Sequence, residues 1–173
     1  MENLIKTTPD VYLARNPIVS IGQKEIDFLR GELVGNAKGR VRINLHPDNA
    51  DTLHEMFIAI RQDSYIRPHK HPSKSEAFHI VYGEVDIIIF EDDGSIQQVI
   101  PLAAGPSINA FYYRMSKPFF HTLLIKSEIL VVHEITNGPL INNATIYAGF
   151  APAEDAGWSD IGSWLEKLSD RVG

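Results

Sequence analysis

The 173-residue chain contains no cysteine. This absence excludes a disulfide framework, a thiolate zinc finger, a cysteine-ligated iron–sulfur cluster and a cysteine nucleophile. Any bound metal would therefore have mainly nitrogen and oxygen ligands. Histidine can supply the nitrogen, since the sequence contains 7 histidines.

Clustered positive charge and long apolar runs are also lacking. The 16 Lys and Arg residues stand against 22 Asp and Glu residues, a formal net charge of −6. This balance argues against a nucleic-acid partner, because binding to phosphates needs a basic surface. No stretch approaches the roughly 20 apolar residues of a membrane span, and residues 1–10 lack the apolar core of a signal peptide. The sequence predicts a cytoplasmic protein with no membrane and no nucleic-acid partner.

Strand patterns dominate the middle of the sequence. Over residues 56–148, short apolar runs are separated by turn residues, among which Asp93-Gly94 is a typical hairpin pair. Short strands at this regular spacing indicate a β-sandwich or a β-barrel.

Helices are predicted on both sides of the strand region. The first covers residues 21–33, with Ser20 as its N-cap, and the second covers residues 160–171. Residues 1–19 are predicted to be irregular, and residues 48–55 to contain a short helical turn.

One short segment concentrates potential metal ligands. His69 and His71 lie two residues apart in a predicted strand, so both imidazoles point to the same face. Glu76 follows a short turn at the start of the next strand, and His121 opens a later strand. Three neutral imidazoles and one carboxylate suit a divalent transition metal such as Zn, Fe, Mn or Ni. Four such ligands would leave an octahedral metal open to water or substrate.

The spacing His-x-His-x4-Glu-x6-Gly, which ends at Gly83, resembles the first motif of the cupin superfamily. Asp63 replaces the leading glycine of that motif, and in the second cupin motif only the histidine is kept, at His121. Over residues 40–154 the chain further resembles the WbuC-like cupins found among bacterial polysaccharide genes. The residues that carry this resemblance are Arg40–His46, Arg67–His71, Lys74–Phe78, Glu134 with Gly138-Pro139, and Phe150–Pro152 with Glu154.

The resemblance implies an all-β fold, the cupin double-stranded β-helix or jelly-roll barrel, with short flanking helices at the N- and C-termini. It divides the chain into an N-terminal arm and helix (residues 1–39), a cupin β-barrel domain (40–155) and a C-terminal helix (156–173). It also implies one divalent transition metal per chain, a homodimer formed through an edge strand, and a place in surface polysaccharide biosynthesis. It names no reaction.

A second group of polar residues is a candidate for substrate binding. Polar and apolar residues alternate over Arg40–His46, so in a strand one face would carry Arg40, Arg42, Asn44 and His46. Arginine can bind a carboxylate or phosphate through two hydrogen bonds. This face is either an anion-binding wall or a solvated edge strand. Arg67 has the same parity as the histidine pair and either faces the same cavity or lies on the surface.

The remaining titratable residues are assigned by their parity and position. His79 should face away from the metal, and His54, in the predicted helical turn, is expected to be exposed. His133 and Glu134 are adjacent in a strand, so only one can face the barrel interior, and the cupin resemblance favours Glu134. Glu134 and His46 are the candidate catalytic residues: the carboxylate would act as a general base or orient a histidine.

Together these features predict a metal-binding cupin. The first interpretation is a metal-dependent enzyme, isomerase/epimerase-like or dioxygenase-like, acting on a small anionic or carbohydrate-derived substrate. The alternative is a non-catalytic, metal-dependent binding module for a sugar or another small molecule. A third interpretation, a metal-free cupin of the sugar-epimerase type, conflicts with the complete set of His69, His71 and Glu76.

Overall fold

The computed structural model describes residues 3–140 and 145–172; the predicted domain ranges also include residues 1–2, 141–144 and 173, which lie outside the described residues. Its strands are β1 (Leu4–Thr8), β2 (Val11–Ala14), β3 (Arg40–Asn44), β4 (Leu53–Arg61), β5 (His69–Lys70), β6 (Glu76–Tyr82), β7 (Glu84–Phe90), β8 (Ile96–Ala103), β9 (Tyr112–Met115), β10 (Phe120–Ile125), β11 (Ile129–Asn137) and β12 (Ile146–Tyr147). Its helices are α1 (Gln23–Glu32) and α2 (Trp158–Val172).

The strands form two sheets. Sheet A has the order β1-β2-β3-β4-β11-β6-β9, and sheet B has the order β12-β5-β10-β7-β8. All neighbours pair antiparallel except β2 and β3, which are parallel. Between β4 and β11 the chain passes repeatedly from one sheet to the other, and only the β7–β8 hairpin stays within a sheet. This is the expected cupin double-stranded β-helix, a jelly-roll barrel.

Apolar side chains from both sheets fill the space between them. On β7, Ile87 and Ile89 point into this core, whereas Ile88 and Phe90 pack on the other side against Leu168 of α2. The continuous apolar run of β7 is therefore buried on both faces, as its sequence predicts.

Helix α1 covers the outer face of sheet A. Ile26, Leu29 and Leu33 recur with helical spacing, and they are buried together with Val41 and Ile43 of β3. The predicted helix is confirmed, but its N-cap is Gly22 rather than Ser20. The Gly22 N–H donates to Glu25 Oε2 over 3.0 Å, so a side chain within the first turn satisfies the helix start.

The turn between β6 and β7 requires glycine. Gly83 has a φ of 86°, and a Cβ atom there would lie 2.4 Å from the carbonyl oxygen of Ile129. Only glycine tolerates this conformation and close approach together. Gly83, the last residue of the cupin-like spacing, is therefore required for steric reasons in the tight turn after β6, the strand that begins with Glu76.

The prediction of an irregular N-terminal segment is wrong. Residues 4–14 form the β1–β2 hairpin, and β2 extends sheet A by pairing with β3. The prediction of a helical turn over residues 48–55 is also wrong: Asp48 and Asp51 accept hydrogen bonds from backbone N–H groups two residues later, and β4 begins at Leu53. Such aspartate turns compete with helix formation. No helix among the described residues has the length and apolarity needed to cross a bilayer.

Candidate metal centre

The four predicted metal ligands come together from both sheets. His69 on β5 pairs directly with His121 on β10, so sheet B brings two imidazoles side by side. His71 follows β5, and Glu76 begins β6 in sheet A. One potential ligand atom from each of the four residues lies within 4.8 Å of the others. The group therefore joins the two sheets and could hold one metal ion.

Backbone carbonyl groups orient two of the imidazoles. His69 Nδ1 lies 2.8 Å from the carbonyl oxygen of Arg67, and His121 Nδ1 lies 3.1 Å from that of Phe119. A carbonyl oxygen can only accept, so in each ring Nδ1 donates its hydrogen. The lone pair then lies on Nε2, which is the arrangement expected of a histidine that binds a metal.

The Nε2 atoms of His71 and His121 face the carboxylate of Glu76. His121 Nε2 lies 3.1 Å from Oε1, and His71 Nε2 lies 3.7 Å from Oε2. His71 Nδ1 is 3.2 Å from the Thr145 hydroxyl oxygen. His121 is 1% exposed, and although its buried Nε2 lies close to Glu76, it makes no well-directed hydrogen bond among the described residues. An unpartnered buried nitrogen is unfavourable, and a cation at this position would satisfy it. The donor set therefore fits a divalent transition metal.

The protonation states of the group also suit a cation. Burial lowers the pKa of His69 to about 4 and also lowers the pKa of His71. Burial on its own would raise the pKa of Glu76, but the adjacent imidazoles, chiefly His121, hold it at about 2. Burial opposes the charged form of His121, yet the Glu76 carboxylate raises its pKa. At neutral pH the group offers an ionised carboxylate and at least two neutral imidazoles, the forms that bind metal.

A residue outside the predicted site holds Glu76 in place. The Tyr113 hydroxyl donates to Glu76 Oε1 over 3.0 Å, and Tyr113 is buried. Alternation along β9 indicates that Tyr113 and Met115 face inward. It does not reveal the partner, because that depends on the pairing of β9 with β6.

The group lies on the wall of a cavity of about 420 Å³. Arg40, Arg42 and Glu134 of sheet A line the same cavity. Arg40 lies 3.4 Å from Glu154, whereas Arg42 has no ion-pair partner within residues 3–140 and 145–172. At the rim, Lys38 Nζ is 2.8 Å from Asp10 Oδ2, so the N-terminal hairpin also reaches the cavity.

Glu134 faces the cavity, while its neighbour His133 faces the outside of sheet A. The His133 ring stacks on Phe57 with 4.5 Å between ring centroids. Burial, followed by the nearby carboxylate of Glu76, raises the pKa of Glu134 to about 8, and Arg42 opposes this shift only in part. Glu134 can therefore hold a proton at neutral pH beside the potential metal ligands.

Three other predicted site residues do not line the cavity: Asn44, His46 and Arg67. Asn44 and His46 keep the parity of Arg40 and Arg42, and His46 stacks on His54 of β4, but both lie farther along this face than the cavity extends. Arg67 instead donates to the carbonyl oxygen of Ala148 over 2.8 Å and lies over the ring of Tyr147. This contact fixes the segment around β12.

His79 and His54 are both predicted to lie outside the metal site, but their observed burial differs. His79 is exposed on the outer side of β6, as its parity predicts. The expectation that His54 is exposed is wrong: it is 3% exposed and stacks on His46, with ring centroids 4.1 Å apart. The reason is that His54 lies in β4, whose even-numbered positions face inward, and not in a helical turn.

Comparisons with known proteins concern the fold. A family model described as a domain of unknown function (DUF6016) matches residues 21–102, and no curated protein matches the chain. A solved protein of Shewanella oneidensis aligns with a TM-score of 0.57 and 8% identity over 87% of this chain and 96% of that one. KdgF from Halomonas sp. aligns with a TM-score of 0.46 and 12% identity, over 61% of this chain and 84% of that one.

Oxalate oxidase in complex with the substrate analogue glycolate aligns with a TM-score of 0.47 and 14% identity, over 65% of this chain. The chain spans 56% of the length of that oxalate oxidase. The strand order is that of the cupin double-stranded β-helix, the solved Shewanella oneidensis protein is similar in fold over most of the chain, and the His/Glu group could bind one metal ion.

Proposed function

We propose that the protein is a metal-dependent enzyme acting on a small anionic or carbohydrate-derived molecule. The observation that carries the proposal is that four metal-type donors share one cavity with Arg42 and Glu134. His69, His71, Glu76 and His121 would hold one Zn, Fe, Mn or Ni ion per chain. A bound metal would polarise a substrate oxygen or, as iron, support oxygen chemistry.

The arginines of β3 are the reason for proposing an anionic substrate. Arg42 is exposed and lines the cavity, and no acidic side chain among the described residues forms an ion pair with it. A carboxylate or phosphate would bind it through two hydrogen bonds. Arg40 forms an ion pair with Glu154 and places a second guanidinium on the same face of β3 as Arg42. Asn44 and Arg67 are not given this role, because they do not line the cavity.

Glu134 carries the proton-transfer role. It faces the cavity on the strand next to Glu76, and its raised pKa of about 8 means that both protonation states are accessible near neutral pH. Such a carboxyl can give a proton to the substrate or remove one, as isomerases and epimerases require. His46 is not given this role, since its ring stacks on His54 away from the cavity.

The carbohydrate-derived part of the substrate class rests on the WbuC-like sequence resemblance alone. The same holds for a place in surface polysaccharide biosynthesis and for a homodimer. The sugar phosphate isomerase of the cupin superfamily from Silicibacter pomeroyi, similar over 58% of this chain at 12% identity, has a compatible substrate class.

Metal analysis tests the site. We expect about one equivalent of transition metal in the wild-type protein and in His79→Ala, which removes an exposed histidine outside the site. His71→Ala should lose most of the metal, because it removes one imidazole of the group. Equal metal content in all three proteins would refute the site.

Solvent exchange tests catalysis. Metal-loaded protein is incubated in D₂O with 2-hydroxy and 2-oxo acids, and deuterium uptake at carbon is followed by NMR while an electrode follows oxygen consumption. Glu134→Gln should keep the metal and lose deuterium uptake. Ligand binding with neither deuterium uptake nor oxygen consumption would identify the alternative, a non-catalytic binding module.

A further inference from the structure

We infer that the natural ligand is a small acid with an apolar body rather than a polyhydroxylated sugar acid. The inference rests on the proposed function, because it concerns the ligand of the same cavity. It comes from one part of the cavity wall. That part is aliphatic and aromatic and consists of Ile58, Ile60, Ile66, Phe78, Leu123 and Val132, whereas the rest of the wall carries the potential metal ligands and other polar groups, among them Arg40, Arg42, Glu134, Thr145 and Tyr147.

The apolar residues lie between the two polar ends of the cavity. On the inner face of sheet A, Arg42 pairs with Ile58 of β4, and Ile58 pairs in turn with Val132 of β11. Paired residues on neighbouring strands point to the same side. Arg40 is flanked by Ile60 in the same way. A ligand that reaches from the arginines toward the His/Glu group must therefore cross aliphatic side chains.

The polar groups at the rim are already engaged with one another. Asp10 accepts hydrogen bonds from Asn36, over 2.9 Å, and pairs with Lys38. Glu154 pairs with Arg40. Hydroxyl groups along the body of a sugar acid would compete for these partners at the rim and would find none on the apolar wall.

A hydroxyl group placed against this wall loses its hydrogen bonds to water without replacement, whereas an apolar group of the same size releases water. Apolar pockets discriminate against an added hydroxyl by roughly 100-fold at most. The volume of about 420 Å³ leaves room for a branched aliphatic or aromatic body. A cavity of about 150 Å³ already accommodates benzene.

Two acids of equal size test the inference. 2-Hydroxy-4-methylpentanoate and threonate share a 2-hydroxycarboxylate head and have the same number of non-hydrogen atoms, but the first has an isobutyl body and the second a diol. Their binding to the manganese-loaded protein and to the metal-free protein is measured by calorimetry. We expect 2-hydroxy-4-methylpentanoate to bind at least about 10-fold more tightly.

Variants assign the preference to the wall. Ile58→Thr places a hydroxyl on a wall residue that is only partly buried and should reduce the ratio of the two dissociation constants. Ile129→Thr makes the same change on the neighbouring strand β11, where the side chain packs with Leu29 and Val41 under α1, and should leave the ratio unchanged.

Equal or tighter binding of threonate, or binding of neither acid, would overturn the inference. Failure of the protein to bind metal would overturn the proposed function instead. The ratio measured on the metal-free protein would still decide the character of the wall.

Discussion

The two oxygens of the Glu76 carboxylate have different neighbours. Oε1 accepts the hydrogen bond from Tyr113 and lies near His121, whereas Oε2 is the oxygen near His71. Tyr113 therefore limits how the carboxylate can rotate inside the group. Residues that orient a metal ligand in this way typically contribute about 10- to 100-fold to metal affinity.

Removing the Tyr113 hydroxyl tests this role. Tyr113→Phe should lower the affinity for Zn²⁺ or Mn²⁺ by about 10-fold or more, measured by competition with a chelator, because Glu76 loses its fixed orientation. Tyr112→Phe, on the exposed side of the same strand, is the control and should bind metal like the wild type. Unchanged affinity in Tyr113→Phe would show that packing alone positions Glu76.

Glu134 makes the stability of the metal-free protein depend on pH. Its pKa is about 8 in the folded protein against a usual value of 4.5, so folding favours the protonated form. Stability is then highest below about pH 5 for this group and falls as pH rises toward 8, where the buried carboxyl ionises. Glu134→Gln removes this dependence.

Thermal unfolding of the metal-free proteins measures the effect. We expect the melting temperature of Glu134→Gln to rise relative to the wild type between about pH 5 and pH 9. Glu128→Gln, at an exposed position, serves as the control. A difference between Glu134→Gln and wild type that does not change with pH would contradict the prediction.

The proximity of potential metal ligands could be predicted from sequence where the ligands are close along the chain. His69, His71 and Glu76 lie within one strand and one short turn, so parity and spacing are enough to bring them together. His46 and Tyr113 are different. The extent of the cavity along β3 and the pairing of β9 with β6 decide their surroundings, and both are set by contacts distant in sequence.

At the scale of elements, α1 acts as a cover for sheet A. Leu29 is fully buried between the helix and β3, and Leu29→Ala should reduce the free energy of unfolding by about 2–5 kcal/mol. Val34→Ala, at a side chain that is 86% exposed, should change it by less than about 0.5 kcal/mol. Urea unfolding measures both. A similar small effect of the two substitutions would mean that the helix does not stabilise the sheet.

The β1–β2 hairpin could not be predicted from its own residues, because contacts with other parts of the chain determine it. Leu4–Thr8 has only partly buried and exposed side chains, so no strand periodicity marks it. The hairpin exists because β2 pairs with β3, and its Asp10 connects to Lys38 and Asn36. By contrast, α1, α2 and β7 carry their burial pattern in their own sequence and were predicted.

At the scale of the whole molecule, the His/Glu group connects sheet A to sheet B. A ligand that binds only the folded protein stabilises it by about 2.7 kcal/mol at 100 times its dissociation constant. For a chain of this size, that corresponds to a rise in melting temperature of roughly 5–10 °C. We expect this rise when metal is added to the metal-free wild type and not to His71→Ala. Scanning calorimetry checks the difference, and an equal rise in both proteins would indicate binding elsewhere.

The overall architecture could be predicted because spaced short strands and the cupin-like motif constrain it strongly. The character of the ligand could not, since it depends on which apolar residues line the cavity. In a linear sequence Ile58 and Val132 look like any core residues. Only the pairing of β4 with β3 and β11 places them beside Arg42.

The direct pairing of His69 with His121 has a kinetic consequence. The two imidazoles meet only after β10 has docked beside β5, and Glu76 reaches them only when the second sheet closes over the first. A cation held by all four residues therefore requires both sheets to be in place. We expect bound metal to slow the unfolding of the barrel more than it changes the rate of folding.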